Sequence, residues 1–182
     1  MKPAIVFVHA FGGPPIDYVM PALARRCAVH TLLLSPASQY NRAIFQEFAQ
    51  TVTERSDVAT AHVVDLIVNH ARSVEASAVI TFSEYLVVAV AEACEQLGLR
   101  GAGPNAVLAR NKLAMRTRWA EAGIQVPEFH AVRSKSDLHD AAHHLKGPFV
   151  LKDAWGAGSI GTQSVVPGTD LDTVFGRRQG AG

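Results

Sequence analysis

Cysteine is nearly absent: Cys27 and Cys94 are the only two in 182 residues, too few for a disulfide framework or a four-thiolate metal site. Both read as reduced core thiols inside apolar helical stretches of a cytoplasmic protein. Excess charge of either sign is missing too. Lys and Arg number 17 against 16 Asp and Glu, a formal net charge of +1. That leaves no basic footprint for nucleic acid and no cationic amphipathic face for a membrane, so neither is expected as a partner. Long apolar runs are lacking as well: Ile5 to Val8, flanked by one lysine, is too short for a secretory core. What the chain does have is a hydrophobic fraction of 48%. A globular chain of this length buries about 70% of its unfolded surface, enough for one sizeable domain or two small ones.

Short apolar runs alternate with helical periodicity, which predicts an α/β fold. Pro3 to Val8, Val29 to Leu34 and Ala78 to Phe82 have the length and continuity of strands covered on both faces of a parallel sheet. Asp57 is expected to cap a helix in which Val64, Ile67, Val68 and Ala71 share one face. Ser83 is expected to cap another, running from Glu84 to about Leu97 and stopped by Gly98. These elements make residues 1–103 a doubly wound, Rossmann-like domain. A short strand ends at Gly101-Ala102-Gly103-Pro104, the expected boundary, and Asn105 can cap a helix from Ala106 to Ala122. The second domain, 104–182, then reads as a strand at Phe129 to Val132, a helix from Asp137 to Leu145 capped by Ser136, and a strand at Phe149 to Lys152. From 176 the chain has no apolar periodicity and reads as a disordered tail, leaving this domain partial.

The last of those strands opens into Gly156-Ala157-Gly158-Ser159-Ile160-Gly161. A G-x-G-x-x-G spacing is shared by several phosphate-binding loops, so its context decides. A dinucleotide-binding turn runs into a helix, whereas here Thr162 to Val166 reads as a strand followed by the turn Pro167-Gly168. A kinase loop precedes its phosphate lysine, whereas Lys152 precedes these glycines; a P-loop needs Lys-Ser or Lys-Thr after its last glycine, and Gly161 is followed by Thr162. The remaining reading is a hairpin flap. Its backbone N–H groups can approach phosphate oxygens, with Lys152 and the upstream Lys112 supplying point charges for a triphosphate. Trp155 beside the flap would cover a ribose or pack the lid, and packing is the default for a lone aromatic.

Five separated segments then carry a resemblance. Gly103-Pro104-Asn105, Arg110-Asn111-Lys112-Leu113-Ala114-Met115-Arg116, Ala122-Gly123-Ile124-Gln125-Val126-Pro127, Pro148-Phe149-Val150-Leu151-Lys152 and the glycine flap keep the order and spacing of ATP-grasp ligases. The chain resembles that family along its whole length, and is similar above all to carboxylate–amine ligases such as the L-amino acid ligases. The resemblance implies a Rossmann-like pre-ATP-grasp domain followed by part of an ATP-grasp lid. It implies a reaction in which ATP, with Mg2+, phosphorylates a small-molecule carboxylate to an acyl phosphate that an amine then attacks. Lys112 and Lys152 would contact the α- and β-phosphates, and Gly156, Gly158, Ser159 and Gly161 would close over the tail through backbone N–H groups. Asn111 stands where the family usually has aspartate, Asp153 where it has proline and Thr162 where it has valine. The family's catalytic arginine and acidic magnesium ligands match nothing in this sequence, so no catalytic residue or metal ligand is assigned. The expectation is a C-terminally truncated member that alone binds ATP weakly or not at all and completes no ligase cycle.

Two other classes compete. Ile5-Val6-Phe7-Val8-His9-Ala10-Phe11-Gly12-Gly13 is similar to the strand and oxyanion loop of an α/β-hydrolase, yet no histidine follows His144 to complete a triad after Ser159. A non-catalytic regulatory or interaction module with a vestigial nucleotide site would expose apolar surface and self-associate, so a homo-oligomer is one expected state. His139 and His143 have the spacing of two metal ligands on one helix, but no third ligand is evident, and they read as surface histidines. Glu84 in a first helical turn suits the helix dipole, or the amine of a substrate.

Overall fold

In the computed structural model, residues 1–56 and 59–179 are described, and the chain divides into two compact units, Met1–Val107 and Leu108–Gly182. The first runs β1 (Ala4–His9), α1 (Ile16–Arg26), β2 (Ala28–Leu33), α2 (Gln39–Phe48), β3 (Thr51–Glu54), a 3-10 turn (Thr60–His62), α3 (Val63–Ser73), β4 (Ala78–Ile80), a second 3-10 turn (Glu84–Leu86) and α4 (Val87–Gln96). Among the described residues, the four strands form one sheet in the order β3-β2-β1-β4. All are parallel, with Ile5 opposite both Val29 and Ala78.

The sheet is covered on both faces because β1 is apolar from Ala4 to Val8. Val6 and Val8 pack with Leu32, Ile67, Val68, Val90 and Cys94 on the α3 and α4 side. Ile5 and Phe7 pack with Ile16, Met20, Val29 and Phe45 on the α1 and α2 side. This is the α/β architecture that the apolar runs predict, and Ile67, Val68 and Ala71 do form the buried face of α3. The proposed cap Asp57 lies outside the described residues. Cys94 is a buried free thiol in α4, whereas Cys27 is half-buried and sits just past the end of α1 rather than inside a helix.

Ser83 departs from expectation. It caps no helix: a 3-10 turn follows it, α4 begins only at Val87, and its hydroxyl is fully buried and accepts the Ala10 N–H. Strand β3 was not anticipated, because Thr51-Val52-Thr53-Glu54 is a half-exposed edge strand without a continuous apolar run. Residues 99–102 form no strand.

Further along, the chain forms α5 (Asn105–Arg110), α6 (Lys112–Glu121), α7 (Lys135–Leu145), β5 (Phe149–Leu151), β6 (Gln163–Val165) and α8 (Leu171–Gln179). The single helix expected from Ala106 to Ala122 is two. Asn111 leaves the helical region with ψ 104, and its side chain accepts the N–H groups of Leu113 and Ala114 at 3.0 and 3.1 Å, which starts α6 afresh. Phe129 to Val132 pairs with no strand. The cap of α7 is Ser134 rather than Ser136: its hydroxyl accepts the Asp137 N–H while Asp137 accepts the Ser134 N–H, a reciprocal box. Strands β5 and β6 pair antiparallel, Phe149 opposite Val165, so the glycine segment is the turn of a hairpin, as expected. Leu138, Leu151, Val165 and Val174 form the small core of this unit. The expected disordered tail from 176 is helical as far as it is described, and 180–182 lie outside the described residues: α8 runs through Gln179, started by Asp170, whose carboxylate accepts the Asp172 and Thr173 N–H groups.

Candidate functional site

The second unit gathers the cationic residues of the expected phosphate site around the root of the hairpin. Lys152 follows β5 directly and is exposed, while Lys112, the first residue of α6, is half-buried. Both line one open cleft of about 950 Å3, together with Arg116, His130, Asp153 and Phe175. The wall of this cleft runs along the hairpin only as far as Ala154. The structure therefore brings Lys112 and Lys152 into one cavity, whereas Gly158, Ser159 and Gly161 lie further along the hairpin.

Gly156 is joined to that group by a hydrogen bond: the Lys112 ammonium donates to its carbonyl. Two more donors from the same corner act beside it. The Lys112 N–H donates to the Ala154 carbonyl at 2.9 Å, and the guanidinium of Arg110, which is 6% exposed, donates to the Trp155 carbonyl at 2.8 Å. Arg110 was overlooked as a site residue. A readable signal existed in Arg-Asn-Lys, where a strong N-cap residue between two cations marks a helix break with both charges at its mouth.

The loop itself is two consecutive tight turns. Gly158 and Ser159 have φ of 58° and 59°, and the Ile160 N–H donates to the Ala157 carbonyl at 3.0 Å, the pattern of a type I′ turn. Thr162 N–H then donates to the Ser159 carbonyl at 3.1 Å across Gly161, φ 68°. A Cβ on Gly161 would lie 2.8 Å from Asp153 Oδ2, so the aspartate that follows Lys152 backs the far side of the loop. Trp155 is 48% exposed and Ile160 is 67% exposed, so the loop offers apolar surface to solvent.

At the carboxyl edge of the sheet in the first unit, the loop after β1 carries Gly12 and Gly13 at φ 80° and 90°. A Cβ on Gly13 would meet the Phe82 carbonyl at 2.8 Å, so only glycine fits between these segments. The rings of Phe11 and Tyr85 are 4.9 Å apart. The hydrolase-like reading finds no support in this geometry. The Ala10 N–H, which an oxyanion loop would present to substrate, is taken by Ser83. His9 is buried against Phe7 and Phe45, and burial holds its imidazole pKa below the ordinary value.

The histidines of α7 are tied to the surface. His139 Nε2 lies 3.3 Å from Asp172 Oδ1, the His144 Nδ1 lies 2.8 Å from the Asp140 carbonyl oxygen, and the His143 and His144 rings meet edge to face. Among the described residues, no three His, Cys, Asp or Glu side chains converge as a metal site. Nor is any helix among them long and apolar enough to cross a membrane.

No protein-family model matches the chain. Among curated proteins it is 37% identical over 112 residues to an alanine–anticapsin ligase of Bacillus subtilis (strain 168), covering 61% of this chain and 23% of that protein. It is 27% identical over 167 residues to an uncharacterised protein of Sinorhizobium fredii, covering 90% and 34%. The chain thus spans 23% and 34% of the length of these two relatives. Among solved structures, the L-amino acid ligase from Bacillus licheniformis superposes with a TM-score of 0.75 at 16% identity, over 98% of this chain and 42% of that one. The biotin carboxylase domain of the Hydrogenobacter thermophilus 2-oxoglutarate carboxylase, in a complex containing MgADP, gives 0.70 at 18% identity, over 97% and 40%. The alanine–anticapsin ligase and the two fold neighbours are ATP-grasp enzymes, and over the part that it spans the chain is related to the ATP-grasp ligases.

Proposed function

We propose that this chain supplies the phosphate-gripping part of an ATP-dependent ligase that joins a small-molecule carboxylate to an amine. The observation that carries this reading is the pair Lys112 and Lys152 in the wall of one cleft, at the root of a glycine hairpin. Ammonium groups from two separate elements, an α6 N-terminus and a β5 C-terminus, suit a ligand with several negative charges. Among the described residues neither ammonium is ion-paired with a carboxylate, so they can meet a polyphosphate without first breaking a salt bridge. The donor set fits the triphosphate tail of ATP, and a complex containing MgADP in one fold neighbour agrees with it.

In such a ligase the carboxylate takes the γ-phosphoryl group of ATP to give an acyl phosphate and ADP, and the amine then attacks the acyl carbon and expels inorganic phosphate. The chain's own residues would bind and orient. Lys152 and Lys112 would hold the α- and β-phosphates. The hairpin at Gly156, Gly158, Ser159 and Gly161 would fold over the tail and exclude water, which strengthens every charge interaction beneath it. The Gly156, Ile160 and Thr162 N–H groups already serve turns of the hairpin, so the phosphate-facing backbone donors of this reading are those of Gly158 and Ser159. The described residues do not gather a carboxylate set for magnesium, and its ligands are not assigned to them.

Titration with a fluorescent ADP analogue tests the reading. Weak but saturable binding, which loosens a further ten- to a hundredfold in Lys152→Gln, is the expected result, since a charged hydrogen bond contributes about 1.5 to 3 kcal/mol. Saturable binding unchanged by Lys152→Gln would remove that lysine from the site, and no saturable binding would reject the reading.

A further inference from the structure

Three successive carbonyls at the start of the hairpin, Ala154, Trp155 and Gly156, are each taken by a donor from residues 110–112. Successive carbonyls of a chain point in different directions, so one straight helix face cannot reach all three. The break at Asn111 solves this. In a continuous helix the Lys112 N–H would be spent on the carbonyl four residues earlier; as the first residue of a new helix it is one of the orphan donors, and it turns to Ala154. The break also places a cation on each side, Arg110 ending α5 and Lys112 opening α6. Arg110 is buried, and a buried guanidinium costs stability unless its donors are used, which gives this charge a task at the hairpin.

We infer that Arg110 is a positioning residue which, with Lys112, clasps the stem of the hairpin and so fixes where the two glycine turns begin. An ammonium has three donors, so Lys112 can keep the Gly156 carbonyl and still offer two to an anion. Phosphate binding at Lys112 and the position of the hairpin are thereby linked, a consequence that rests on the nucleotide reading above. Arg110 would act on the site through the hairpin rather than by touching the phosphates.

The chain has two tryptophans, so Trp119→Phe leaves Trp155 as the sole indole, beside the carbonyl that Arg110 holds. In this background Arg110→Gln is expected to lower the anisotropy and red-shift the emission of Trp155 with no ligand present, with partial return in Arg110→Lys. The dissociation constant for ADP is expected to rise about three- to tenfold in Arg110→Gln. A folded Arg110→Gln chain whose Trp155 signal matches the parent overturns the clasp. So does a changed Trp155 signal with unchanged ADP affinity, since the stem would then not position the site. Should Arg110→Gln fail to fold, cross-relaxation between the Arg110 guanidinium protons and Gly156 Hα in the unaltered chain decides, and its absence overturns the proposal. If the parent binds no ADP, the nucleotide reading fails by itself, while the fluorescence and cross-relaxation still test the clasp.

Discussion

The Ala10 N–H donates to the Ser83 hydroxyl at 3.0 Å across 73 residues of chain, tying the end of β1 to the segment that leaves β4. In a sheet ordered β3-β2-β1-β4, β1 and β4 flank the point where the chain reverses its direction of travel. Both partners are buried, Ser83 fully. Ser83→Ala would leave a buried amide without an acceptor, at a cost of about 1 to 3 kcal/mol. Urea denaturation is expected to show the midpoint falling with an unchanged slope; an unchanged midpoint would mean that water replaces the hydroxyl at no cost.

Asn111 accepts two backbone N–H groups of α6. Asn111→Ala removes that cap and is expected to destabilise the unit by about 1 kcal/mol. Asn111→Asp keeps an acceptor there and adds a negative charge at a helix N-terminus, so it is expected to match the parent or exceed it by a few tenths of a kcal/mol. Thermal melts of the three chains give the ranking, and a loss with Asp as large as with Ala would contradict the capping role.

The elements readable from the sequence are those fixed by local chemistry. β1 shows itself because its side chains from Ile5 to His9 are buried on one face or the other, and the hairpin because Gly158 and Gly161 adopt left-handed φ between two short strands. What escaped depends on partners far away in sequence. Ser83 has the composition of a cap, but its hydroxyl is claimed by Ala10. Asn111 was read as helix interior, although its side chain competes with the backbone and divides the helix. The stretch from 176 looked polar and aperiodic, yet α8 continues into it from Val174 and Phe175, which pack with Leu138 and Leu151, and that packing outweighs a weak pattern. Of the site, the two lysines and the hairpin were legible, whereas Arg110 acquires its role only once Trp155 has been folded back onto it.

Burial lowers the pKa of His9, and of His70 with help from the nearby His30 and Arg55, below the ordinary 6.5. Between the folded values and 6.5 the unfolded chain therefore binds more protons than the folded one, so stability is full above 6.5 and falls as the pH drops through that window. Denaturation midpoints at pH 7.5, 6.5 and 5.5 are expected to decline in that order. His9→Leu, which replaces the imidazole with an apolar side chain of similar size, is expected to flatten the decline. An equal slope in His9→Leu and the parent would assign the pH dependence to other groups.

The hairpin glycines are not equivalent, and their difference gives a ranked test. Gly158 and Gly161 both have left-handed φ, 58° and 68°, so alanine at either carries a backbone penalty of roughly 1 to 2 kcal/mol. At Gly158 the added Cβ meets nothing within 4 Å, whereas at Gly161 it would lie 2.8 Å from Asp153 Oδ2 and must displace that carboxylate. Asp153 follows Lys152 directly, so moving it disturbs the lysine proposed to hold the phosphates. Gly158→Ala is thus expected to weaken ADP binding about threefold or less, and Gly161→Ala about tenfold or more. Asp153→Ala in the Gly161→Ala background removes the obstruction and is expected to restore part of the loss. The reverse order, or no recovery in the double variant, would show that the carboxylate does not couple the loop to Lys152.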